Sequence, residues 1–171
     1  MVDGPAAEAR VVKTLEGLGI PYEILRIDPA YADTVVFCEK YGYEVGDCGN
    51  TIIVAAKKEP KQYSACIVRG SDRLDVNKAV KRLMGVSRLS FASADETREL
   101  TGMEIGGVTP FDLPAGVPIY ADAKLMPLQF VILGSGSRAS KVKISPEVLR
   151  RIPGAQVIEG LSLEPKEQGA S

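Results

Sequence analysis

Apolar positions near the start of the chain recur at helical spacing. Val11, Val12, Leu15 and Leu18 form one stripe, and Gly19 can close a helix over residues 5–18. IPYEILRI, residues 20–27, suits a strand, and Asp28-Pro29 breaks it. A second helix is expected over 33–41 (DTVVFCEKY) with Asp33 as its cap, against a β-branched and aromatic content that weakens helix preference. Two apolar runs, 51–57 and 62–69, flank the charged turn KEPK and predict an antiparallel hairpin.

Further on, LDVNKAVKRLMG reads as a helix capped by Asp75, with Val76, Ala79, Val80 and Leu83 facing inward and Gly85 ending it. RLSFA follows as a strand. Ser93 and Glu96 stand at capping-box spacing at the head of a helix that Gly102 ends. The remainder is mostly β: PIYAD, QFVILG and SKVKIS, then a short helix, SPEVLRRIPG, with Ser145 as N-cap, and AQVIEG as a last strand. Hairpins interleaved with helices favour an α+β fold over a doubly wound sheet. One domain is expected over residues 1–162, with 163–171 as a flexible tail.

Chain-wide quantities narrow the chemistry. The net charge is −1, from 21 basic and 22 acidic residues, so no global basic field for nucleic acid exists and DNA is not an expected partner. No stretch approaches the roughly 20 apolar residues of a membrane span, and the polar N-terminus does not read as a signal peptide, so a cytoplasmic location is expected. Cys38, Cys48 and Cys66 form no CxxC pair and suit reduced thiols. The chain contains no histidine, which excludes a Ser-His-Asp triad, a Cys-His pair and a His-ligated zinc site within it. Any catalysis must use backbone groups, carboxylates, lysine, water or the substrate itself, and no metal or cofactor is expected.

Two glycine-rich stretches are candidates for that chemistry. In GMEIGGVTPFDLP, Gly106 and Gly107 precede Val108, Thr109 and Pro110. Such a loop can aim amide N–H groups at a carbonyl or a phosphate, and it can equally be a plain tight turn. In LGSGSRAS, Gly134, Gly136 and Arg138 can cradle an anion or simply make a hairpin turn, and the GxxxxGK[ST] phosphate loop is missing. Basic residues gather at Lys57, Lys58 and Lys61, at Arg69 and Arg73, and at Arg138, Lys141 and Lys143, each group readable as a solvated face.

Taken in order, NTIIVAA, YSACIVRG, LDVNKAVKRLMG, ADETRELTGMEIGGVTPF and the GSGSR turn resemble the YbaK/prolyl-tRNA synthetase insertion-domain family of trans-editing aminoacyl-tRNA deacylases. The resemblance covers roughly residues 8–160, and its most specific part is the GxxxP loop at Gly106 to Pro110. It implies a mixed, largely antiparallel, curled sheet flanked by helices. It also implies hydrolysis of the ester joining a wrong amino acid to the 3′-terminal adenosine of a tRNA, without metal. The implied partner is aminoacyl-tRNA, with a synthetase or a second copy of the chain as a possible companion. Gly106, Gly107 and Asn50 are implied as the catalytic set. Thr51, Val108, Thr109, Pro110, Gly136 and Arg138 are implied as substrate-binding, with the GSGSR turn near the pocket rim.

One position departs from the family. Many members carry a functional lysine where this chain has Asn50, and Asn cannot neutralise an oxyanion. Lys57 and Lys58 lie too far along the strand to reach back; Lys40, Lys124 and Lys141 are alternative cations. Asn50 is then a turn residue, the lining of a retuned pocket, or the mark of a member that binds charged tRNA but hydrolyses poorly. A binding module is the rival to the deacylase, and a thiol enzyme using Cys38, Cys48 or Cys66 is a third class.

Overall fold

The structure is a computed structural model that describes residues 2–165. Helix α1 (Gly4–Leu18) starts where the Asp3 carboxylate accepts the Ala6 N–H and ends on Gly19 in a left-handed conformation. Strand β1 (Tyr22–Arg26) and helix α2 (Thr34–Tyr41) follow. The expected hairpin is formed by β2 (Gly49–Ala56) and β3 (Tyr63–Arg69), with Ile53 facing Ala65 and Asn50 facing Val68. Asn50 is therefore the second residue of a strand rather than part of a turn.

Beyond a short β4 (Arg73–Leu74), the helix expected from Asp75 opens with a π-wound turn, Val76–Val80, and only then becomes α3 (Lys81–Met84). The wider winding appears directly as Val80 N–H donating to Asp75 O. Strand β5 (Leu89–Phe91) leads to α4 (Ala94–Thr101), whose capping box of Ser93 and Glu96 is complete. The rest comprises β6 (Ile119–Asp122), β7 (Val131–Gly134), β8 (Ser140–Ile144), α5 (Val148–Arg151), β9 (Ala155–Ile158) and β10 (Ser162–Leu163). Helix α5 is shorter than SPEVLRRIPG suggests: Ser145 and Pro146 make turns, and Glu147 takes the cap position. Of the expected tail, Leu163 pairs with Arg73, and residues 166–171 lie outside the described residues.

The main sheet runs β5-β2-β3-β6-β9, antiparallel on the β2 side and parallel from β3 to β9. A second, antiparallel sheet runs β1-β8-β7. A parallel bridge from Cys48 to Ile132 joins β2 to β7 and curls the two sheets around one core. That core takes Ile53, Ala65 and Ile67 from one sheet, Leu133, Val142 and Ile144 from the other, and Val11 and Leu15 from α1. A separate cluster, Phe37, Cys38, Cys48 and Ile132, seats α2 on the outer face of the second sheet. The architecture is the mixed, largely antiparallel, helix-flanked sheet expected from the sequence.

Candidate active site

Strand β2 has two partners on its outer edge, with a gap between them. β5 pairs only from Val54 onward, and β7 makes its one bridge at Cys48, just ahead of β2. Ile53 O accepts from Ala92 N–H on this edge. Since alternate residues of a strand turn their main-chain groups to the same edge, Thr51 N–H and C=O also point out of it, with no strand to receive them. A cleft of about 340 Å³ occupies the gap. Its walls are the β2 edge from Cys48 to Ile53, the start of α2 (Asp33, Thr34, Phe37), the bend at Ile105, Gly106 and Val108, and Ile132 to Gly134 with Lys141. Phe91 stands at the mouth, 60% exposed.

The bend is built by close approach of two backbones. A Cβ on Gly107 would lie 2.6 Å from Ser137 O, and one on Gly134 would lie 2.5 Å from Gly107 O, so each position requires glycine. Gly136 N–H donates to Gly107 O at 2.7 Å, and Glu104 N–H donates to Gly136 O at 3.0 Å. Gly106 has φ +93°, a left-handed value that glycine tolerates without strain. Gly107 N–H is itself engaged by Glu104 O, so this amide serves the bend.

Arg138 fastens the bend from behind. Its guanidinium donates to Ile105 O (2.8 Å), Pro29 O (3.0 Å) and Asp33 Oδ1 (3.3 Å), while its main-chain N–H donates to the Glu104 carboxylate. Asp33 holds the cap position of α2, as expected, but makes no side-chain cap hydrogen bond; its carboxylate serves Arg138 instead.

Of the residues singled out from sequence, Asn50, Thr51, Gly106 and Val108 line the cleft. Gly107, Gly136 and Arg138 stand behind it as the loop's support, and Thr109 and Pro110 are buried outside its lining. Asn50 Oδ1 accepts the Thr34 hydroxyl at 2.7 Å, which leaves the amide N–H groups as donors to the cleft. Thr51 Oγ1 has no partner among the described residues.

The cation of the cleft is Lys141. It is 6% exposed, its Nζ donates to Gly106 O at 2.9 Å, and it lies 5.7 Å from the Phe37 ring centroid. Burial pulls its ammonium down from the ordinary 10.5 to about 8, against the pull of the neighbouring Cys48 and Asp33. The other candidate cations are elsewhere: Lys40 sits over the Tyr31 ring, and Lys124 faces Asp72 and Glu164. Lys141 is therefore not part of a solvated face, because α2 covers that side of β8. Sequence reasoning also missed Thr34, Phe37 and Phe91, whose roles depend on how α2 and β5 pack.

The thiols do not suit nucleophilic work. Cys48 is buried at the Cys38 thiol, 3.5 Å away, rather than in a polar loop, and burial pushes both pKa values up. Cys66 is likewise buried and raised to about 11. Among the described residues there is no cluster of three or more metal-ligating side chains, and no helix is long and apolar enough to cross a membrane.

Comparison with known proteins places this geometry in a family. YwhH of Bacillus subtilis (strain 168), an uncharacterised protein, is 32% identical over 99 residues, 58% of this chain and 62% of its own length. The prolyl-tRNA editing protein ProX of Acetoanaerobium sticklandii is 26% identical over 150 residues, covering 85% of this chain and 90% of ProX. A crystal structure described as that of a candidate trans-editing enzyme for prolyl-tRNA synthetase superposes with TM-score 0.77 at 28% identity, over 90% of this chain and 95% of that one. The aminoacyl-tRNA editing domain model matches residues 28–152, which include the edge of β2, the diglycine bend and Lys141, and the chain belongs to that family.

Proposed function

We propose that the protein is a stand-alone aminoacyl-tRNA deacylase, acting on mischarged tRNA in the cytoplasm. The observation that carries this reading is the single cleft in which the diglycine bend faces the open edge of β2, with one buried ammonium between them. At about 340 Å³ the cleft is at the small end of ligand pockets, suited to an aminoacyl group and its ribose. Phe37, Val108, Ile132 and Leu133 offer apolar contact to the amino acid side chain, and the Thr51 main chain is open to its polar atoms.

The ester carbonyl lies against the Asn50 amide and the Lys141 ammonium, donors suited to negative charge on its oxygen. A water oxygen bonds to the carbonyl carbon, the carbon–oxygen bond to the ribose breaks, and the water's proton ends on the ribose oxygen. The products are free amino acid and uncharged tRNA. The neighbouring ribose hydroxyl orients the water, so no histidine is required.

The test is deacylation of a panel of mischarged tRNAs, with the spontaneous rate subtracted. Turnover of at least one, lost in Gly106→Val, is the expected result. A second reading, a module that binds the aminoacylated end without hydrolysis, is favoured by Asn50 standing where many members of the family carry lysine. Binding without turnover of any charged tRNA, with hydrolysis switched on by Asn50→Lys, would select it. Action beside a synthetase, or as a pair of identical chains, belongs to the same proposal and is read by co-purification.

A further inference from the structure

The two sides of the cleft differ in how their cations are engaged. On the side that carries α2, residues 28–47, the cations are held: Arg138 pairs with Asp33, Lys40 sits over the Tyr31 ring and Lys143 over the Tyr43 ring, beside Asp28, Glu39, Glu44 and Asp47. The opposite side is the β2–β5 ribbon. There Phe91 pairs with Val54 at the mouth, Leu89 pairs with Ala56, and Lys57 N–H donates to Arg88 O just beyond. Lys57, Lys58 and Arg88 are exposed, and none forms an ion pair among the described residues. From Phe91 to Arg88 the ribbon runs about 10 Å.

The cleft takes little more than an aminoacyl ribose, so the base attached to that ribose must lie at its mouth. Phe91 is the exposed aromatic ring there, and Phe37 is buried in the floor. A sequence-tolerant stacking platform followed by cations is how proteins hold single-stranded nucleic acid. Exposed cations without an ion pair are what phosphates seek, and the ribbon presents them.

We propose that the 3′ single strand of the tRNA leaves the cleft along the β2–β5 ribbon, its terminal base on Phe91 and the preceding phosphates on Lys57, Lys58 and Arg88. This rests on the reading of the cleft as an aminoacyl-tRNA site and adds the path by which the nucleic acid reaches it.

The probe is a short single-stranded RNA with a free 3′-terminal adenosine, its binding followed by fluorescence anisotropy at low salt. Phe91→Ala is expected to weaken binding about tenfold, and Phe91→Trp to restore it. The exposed triple variant Lys57→Glu, Lys58→Glu, Arg88→Glu is expected to weaken it at least tenfold, and to lower kcat/KM on charged tRNA relative to aminoacyl-adenosine. Wild-type affinity in the triple variant, or equal affinities in Phe91→Ala and Phe91→Trp, would overturn the path. Turnover is scored separately. A wild type that deacylates while the triple variant keeps full RNA affinity removes the path and leaves the activity. A wild type that binds RNA through these residues without turning over any charged tRNA removes the activity and leaves the path.

Discussion

Lys141 is held in the cleft at a cost that pH can report. Its folded pKa, about 8, is below the ordinary 10.5, so the unfolded chain binds this proton more tightly. Its contribution to stability therefore rises as pH goes from about 8 to 10.5 and is level on either side. The shift corresponds to about 3 kcal/mol at neutral pH, and removing the lysine leaves Gly106 O without its donor, which costs about 1–2 kcal/mol. Lys141→Met is thus expected to stabilise the fold by about 1–2 kcal/mol near pH 7, while costing about a hundredfold in kcat/KM. In the wild type, kcat/KM corrected for spontaneous hydrolysis should fall above pH 8 as the ammonium is lost. A rise through pH 8 would instead make the neutral amine the active form. Sequence alone named Lys141 only as one of three alternatives. In SKVKIS the lysines alternate with Val142 and Ile144, a pattern that reads as a wet face until α2 is known to lie across it.

At the scale of elements, the two glycine loops act as one unit. Gly107→Ala would place a methyl within 2.8 Å of Ser137 backbone atoms on a neighbouring loop that cannot swing aside like a flexible side chain. Calorimetry should show a loss of at least 2 kcal/mol, roughly a 4–8 °C fall in Tm. Wild-type stability in this variant would mean that the loops are looser than their contact distances imply. The hairpin, the capping box on α4 and the diglycine stretch were legible because each is written in adjacent residues. The π-wound start at Val76 was not, since its apolar spacing also suits an α-helix. Nor was the division of the GxxxP loop into lining and support, because that depends on which backbone Gly134 meets.

Over the whole molecule, a net charge of −1 leaves no general attraction for RNA, so affinity must come from one local strip. Three phosphate contacts on single-stranded RNA imply a log–log dependence of affinity on salt with slope about −2. Titration across a range of salt should give that slope for the wild type and a nearly flat line for the ribbon triple variant. A steep line in both would mean that other basic residues hold the strand. The fold class was readable from the order of elements, whereas which cations are held and which stay exposed emerges only when α2 and the β2–β5 ribbon are set across from each other.

Arg138 ties residues 29 and 33, ahead of α2, to the back of the bend at Ile105. The α2 wall and the bend thus share a rivet, and neither swings without shearing it. A charged end arrives at a mould already cast. Discrimination among amino acids must then rest on which side chain the mould admits, rather than on a jaw that shuts only for the right guest.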